Sequence, residues 1–188
     1  MTQPVSKRLQ LNDLETKIPG LTPNMGRYLI EACSIRLEDQ RHSRGVQLSV
    51  ERRCDTKSDH SFVIEDWDEI TPRHLAAWTD EEYTTEHAAC GIACLLAVEL
   101  TDYTVINRSR KGTGFDYWLA KQDGDDILPF DKHDARLEVS GIRQGSGKDI
   151  ENRVKLKLRQ TNPSDSMQMP AYVVVVEFSQ PTARVVRK

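Results

Sequence analysis

The sequence predicts an α/β fold with a central mixed sheet, and three observations carry that prediction. From Asp80 onward the chain reads helix, strand, strand, strand, helix, strand. One of those strands, AYVVVVEF, is a near-continuous β-branched run, as a strand buried on both faces requires. Ahead of this block stand one helical pattern and two short apolar runs that read as a β-hairpin. With 188 residues the chain has material for one core rather than for two full domains. We therefore expect an N-terminal arm, helix and hairpin over residues 1–78, packing on or extending a core over residues 79–188.

The elements follow in order. The first two dozen residues carry Pro4, Pro19, Gly20 and Pro23 and read as an irregular lead-in. After Pro23, the residues Met25, Leu29, Ala32, Cys33 and Leu37 recur near helical spacing, which predicts a helix to about His42. In GVQLSVERR, Val46, Leu48 and Val50 alternate with Gln47, Ser49 and Glu51, a half-buried strand; SFVIEDW is its hairpin partner across CDTKSDH. Asp80 caps a helix whose first turn is acidic and whose body, AACGIACLLAV, is small and apolar, suited to close packing on a sheet. YTVINRS and FDYWLA are strands joined by the Gly112–Gly114 step, and RLEVSGI is a third after the acidic loop KQDGDDILPFDKHDA. Between Gly147 and Thr161 both periods fit, and we read a helix with Ile150, Val154 and Leu158 as its buried stripe.

The chemistry centres on Asp116, a carboxylate set among Phe115, Tyr117 and Trp118, where an unpaired charge is costly. If the strands of Asp116 and Glu138 are neighbours, the pleat can bring the two acids face to face. Two such carboxylates repel unless a proton or cation lies between them, and Mg²⁺ or Mn²⁺ is the usual resident of a small oxygen-ligand site. The plainer alternative is that Asp116 forms an ordinary ion pair with Arg110, Lys111 or Arg136.

These residues resemble a family. The αβββαβ order, a glutamate in the first helix, G-x-G-x-D before the second strand and R-L-E-V-S-G in the third resemble the PD-(D/E)xK phosphodiesterase superfamily, with its restriction-endonuclease-like core, over about residues 80–178. The resemblance implies a Mg²⁺ (or Mn²⁺) dependent nuclease acting on nucleic acid, with DNA expected ahead of RNA, in restriction, repair or anti-phage defence. It makes Asp116 and Glu138 metal ligands, Glu86 in preference to Glu99 an auxiliary one, and a motor ATPase or a second copy of the chain candidate partners. The third motif departs from the pattern, because Ser140 stands where the lysine belongs. In some relatives that lysine is displaced to the following helix, where Lys157 and Lys155 are the candidates; Lys157 lies nearer the apolar stripe. The competing reading is a nuclease-fold protein without catalysis, used for binding or assembly.

With a formal charge of −3 the chain as a whole does not attract nucleic acid, so phosphate contacts fall to local clusters: Arg108, Arg110 and Lys111 ahead of Asp116, and Lys148 and Arg153 on the later helix. The polar N-terminus and four cysteines predict reduced thiols in a cytoplasmic protein, and the longest apolar run is too short to engage a membrane as a span. His87, Cys90 and Cys94 share a helix face but lack a second ligand cluster, so buried thiols explain them better than zinc.

Overall fold

A computed structural model describes residues 6–122 and 130–188. The acidic loop expected between the second and third core strands falls largely on 123–129, outside the described residues. The chain begins with β1 (Lys7–Arg8) and a single helical turn, α1 (Asp13–Thr16). Helix α2 (Pro23–Asp39) follows, then the hairpin β2 (Val46–Arg53) and β3 (Lys57–Ile64). A short α3 (Pro72–Ala77) leads into α4 (Glu81–Leu100), then β4 (Tyr103–Arg108), β5 (Tyr117–Lys121) and β6 (Ala135–Ile142). Helix α5 (Gly147–Gln160), a 3₁₀ turn (Asn162–Met167), β7 (Ala171–Glu177) and β8 (Thr182–Arg187) complete it.

Local chemistry explains the main boundaries. Thr22 caps α2 by accepting a hydrogen bond from the Met25 amide, with Pro23 at the first helical position. Asp80 accepts from the Tyr83 amide in the same way at the start of α4. The ambiguous Gly147–Thr161 stretch is helical because Ser146 and Asp149 form a reciprocal capping box at its entry. Its stripe is buried as the helical reading requires, with Ile150 and Val154 packed on Val173, Val175 and Val186.

The strands form one mixed sheet in the order β1-β3-β2-β8-β7-β6-β5-β4. β4, β5 and β6 are an antiparallel meander, and β6 runs parallel to β7 through the α5 crossover. The hairpin extends the core, and the strand that joins it was not anticipated. β8 pairs antiparallel with β7 and parallel with β2. Its apolar alternation covers only Ala183 and Val185 before Val186 breaks the period, too short a pattern to read as a strand alone. Helices α2 and α4 cover one face over the larger core, and α5 covers the other. That core takes in Leu14, Phe62, Leu96, Leu137 and Val185, so residues 1–78 and 79–188 share one interior. No helix among the described residues is long and apolar enough to cross a membrane.

Candidate functional site

The register of β5 and β6 brings the two acids together. Tyr117 pairs with Leu137 and Trp118 with Arg136, so one step further Asp116 opposes Glu138 on the same face. The ladder continues past the end of β5: the Asp116 amide donates to the Leu137 carbonyl at 2.8 Å, and Asp116 Oδ2 accepts from the Val139 amide at 2.8 Å. The Asp116 carboxylate is thereby fixed against the backbone next to Glu138. Among the described residues it makes no ion pair, and Arg136 is turned away to Ser164, Thr161 and Met169 beyond α5. The ordinary salt bridge with Arg136 is therefore not formed.

Glu138 is buried, 6 % exposed, and lies within hydrogen-bonding reach of Asp116. Burial, reinforced by the neighbouring Asp116 charge, pushes its carboxyl up to about 7, against the opposing pull of Lys157. Lys157 Nζ donates to Glu138 Oε1 at 2.7 Å. Of the two lysine candidates on α5, Lys157 is the one that reaches the acids: it stands three residues, nearly one 3.6-residue turn, past the buried Val154, while Lys155 is exposed and lines no part of the cleft. Ser140 accepts a 2.8 Å hydrogen bond from Arg153.

Two glycines allow these elements to approach. A Cβ on Gly141 would lie 2.5 Å from the Thr85 carbonyl oxygen, so the bare strand lets α4 settle directly on β6. Gly114 has φ +83, and a Cβ there would meet the Gln160 carbonyl at 2.3 Å, which seats the 109–116 turn on the end of α5.

The result is a cleft of about 610 Å³ with Asp116, Glu138 and Lys157 in its floor and Glu86, Arg108, Arg110 and Lys111 around it. A second hollow of about 560 Å³, reaching Ser140, Arg143 and Arg153, shares Glu86, Lys157 and Gln160 with the first, so the two form one groove. Among the predicted phosphate contacts, Arg108, Arg110, Lys111 and Arg153 line this groove, whereas Lys148 is exposed in the first turn of α5 and does not. Arg143 and Gln160 were missed. Gln160 had a usable signal, since Arg153, Lys157 and Gln160 stand at i, i+4 and i+7 on one face of α5.

The donor set suits a small hard cation held by two carboxylates, Asp116 and Glu138, whose mutual repulsion Lys157 only partly offsets. Mg²⁺ is commonly bound by one or two carboxylates with waters and phosphate oxygens completing the shell. Among the described residues no group of three or more His, Cys, Asp or Glu side chains converges as a metal site, so Glu86 stands at the rim. Cys90 and Cys94 are buried with their thiols pushed up by desolvation, as core cysteines are. No protein-family model, curated protein or solved structure matches the chain.

Proposed function

We propose that the chain is a Mg²⁺- or Mn²⁺-dependent phosphodiesterase of the PD-(D/E)xK kind, with a restriction-endonuclease-like core, acting on DNA. The observation that carries this reading is a buried glutamate, raised to about 7, directly opposite an aspartate and bonded to a lysine from the crossover helix. Such a constellation is costly to maintain for stability alone. Asp116 and Glu138 would hold the ion, which supplies Lewis-acid polarisation of a phosphate and a water acidified towards neutral pH. Lys157 positions that water or offsets charge on the phosphate, since its ammonium already reaches the mouth of the acid pair. Arg108, Arg110 and Lys111 meet the backbone phosphates from one wall of the groove, and Glu86 orders solvent at the rim.

The test is cleavage of plasmid and of single-stranded DNA in millimolar Mg²⁺ or Mn²⁺ by the wild type and by Asp116→Asn. Losing a metal ligand lowers the rate by about a hundredfold or more. Metal-independent cleavage, or full activity in Asp116→Asn, would overturn the reading. Ser140 at the motif-lysine position, held by Arg153, favours the second reading: a nuclease-fold module that binds nucleic acid or a protein partner without cutting. Binding with no cleavage of either DNA under either metal selects that alternative.

A further inference from the structure

Beside the acid cleft, across Arg108, lies a second and chemically different hollow. Its volume is about 290 Å³, and Met25, Tyr28, Leu29, His87 and Tyr117 form its walls with Arg108 at one end. Arg108 also lines the acid cleft, so the two spaces adjoin through that side chain. The rings around it form a cluster: Tyr28 lies 4.6 Å from Trp78 and 5.3 Å from His87, and Tyr83 lies 4.1 Å from His87, between centroids. Hydrogen bonds fix their orientation, from the Tyr28 hydroxyl to that of Tyr83 at 2.5 Å and from His87 Nδ1–H to the Tyr83 carbonyl at 2.8 Å. A cluster serving only to join α2 to α4 would be buried, yet Met25, Tyr28 and Tyr83 are 40, 38 and 47 % exposed.

Charge identifies the occupant. Arg108 lies over the Tyr117 ring at 5.7 Å, which holds the guanidinium at the junction, and among the described residues its N–H donors make no hydrogen bond. Among the described residues, Arg108, Arg110 and Lys111 have no ion-pair partner, although the neighbouring floor is acidic. A ligand that places anionic groups on these three cations and flat apolar groups on the rings satisfies both surfaces. A nucleic-acid strand with unstacked bases has that alternation, because stacking on aromatic side chains and backbone tracking by cations are the two components of single-strand binding. A duplex keeps its bases inside the stack and could reach the hollow only by flipping one out. We propose that the hollow is a base-stacking subsite, and that the substrate is single-stranded DNA whose backbone passes Arg108 into the acid cleft. This rests on the phosphodiesterase reading for the identity of the cleft, while the apolar and aromatic walls of the hollow have no part in that chemistry and only Arg108 is shared.

The experiment measures binding without cleavage, by fluorescence anisotropy in EDTA. The probes are a labelled mixed-sequence single-stranded oligodeoxynucleotide, its blunt duplex, and an abasic strand of the same length. Wild type is expected to bind the intact strand most tightly. Tyr28→Leu, which keeps apolar volume but removes the ring, and Met25→Ala, outside the ring cluster, should each weaken the intact strand while leaving the abasic strand unchanged. For Tyr28→Leu the loss is about five- to a hundredfold, the range for one stacked base. Tyr28→Phe should bind as wild type. Equal affinity for duplex and single strand, or an equal loss on the abasic strand, overturns the inference. Separate cleavage assays keep the two claims apart. Metal-dependent cutting of duplex that is indifferent to Tyr28→Leu leaves the phosphodiesterase standing without the subsite. Base-dependent single-strand binding with no cutting leaves the subsite standing without the phosphodiesterase.

Discussion

Two glutamates near α5 have opposite electrostatic fates. Glu51, on β2, accepts from Arg53, has Lys57 at 3.0 Å and Arg184 at 3.5 Å, and Arg53 and Arg184 also engage Glu151 of α5. Hydrogen bonding from Arg53, with Lys57 and Arg184 assisting, pulls its carboxyl down to about 2. Glu138, on β6, has one lysine and faces an aspartate, and burial and that neighbour push it up to about 7. In the first cluster cations outnumber acids and the glutamate's charge is satisfied. In the second the two acids beside an open groove have a single lysine, and up to about pH 7 it is a retained proton on Glu138, not a second cation, that relieves their repulsion. A charge network built for stability resembles the first; a site awaiting a cation resembles the second.

The largest expected effect separates the lysines of α5. Lys157→Met should reduce metal-dependent cleavage about a hundredfold, the usual cost of losing one group that stabilises developing charge. Lys155→Met, two residues away but exposed, should leave the rate within about twofold. Equal effects from both would mean that the helix contributes only a diffuse positive field, and the contrast between the two clusters would lose its functional meaning.

The next effect is on stability, and its sign differs between the clusters. The usual carboxyl value of 4.5 serves as the unfolded reference for both. Between 4.5 and about 7 native Glu138 retains a proton that the unfolded chain has lost, so stability falls as pH rises through that window. The full shift corresponds to at most about 3 kcal/mol, and Glu138→Gln should recover a share of it at pH 8 while gaining nothing at pH 4. Native Glu51 stays ionised below 4.5, so its contribution is present above that value and lost as pH falls towards about 2. Glu51→Gln should therefore cost about 1 kcal/mol at pH 7, the partial exposure of its partners limiting the figure, and little at pH 2. Urea titrations of both variants across pH measure this. Parallel pH slopes would contradict the assignment of opposite shifts.

Part of this arrangement is legible in the sequence. The period-2 placement of Asp116 and Trp118, and of Arg136, Glu138 and Ser140, puts each acid on a definite strand face, but that the two faces coincide follows only from the antiparallel register the structure shows. The helical stripe Ile150, Val154, Leu158 similarly points to Lys157 rather than Lys155 as the lysine near the strand. Other features depend on contacts distant in sequence. The Glu51 cluster assembles because β8 inserts between β2 and β7, bringing Arg184 beside residues more than a hundred positions earlier. Neither Arg184 nor Glu151 carries a local pattern that announces this. The aromatic hollow is also non-local, uniting α2, α4 and β5, and the helical period alone assigns Tyr28 and Tyr83 no common surface.

The smallest expected effect is also the most direct probe of the surplus charge. If Asp116 and Glu138 share a cation, Mg²⁺ binds the native chain and not the unfolded one, and at ten times its Kd it adds about 1.4 kcal/mol of stability. For a chain of this size that is about 3 to 6 °C in melting temperature. Because Glu138 holds its proton below about 7, the ion must displace that proton at pH 6 but finds an ionised carboxylate at pH 8, so the shift should be larger at the higher pH. Asp116→Asn should lose the increment, and Glu51→Gln should retain it, since the Glu51 cluster already has its counter-charges. A shift of equal size at both pH values, or one that survives Asp116→Asn, would place the ion elsewhere and leave the raised Glu138 as a consequence of burial alone.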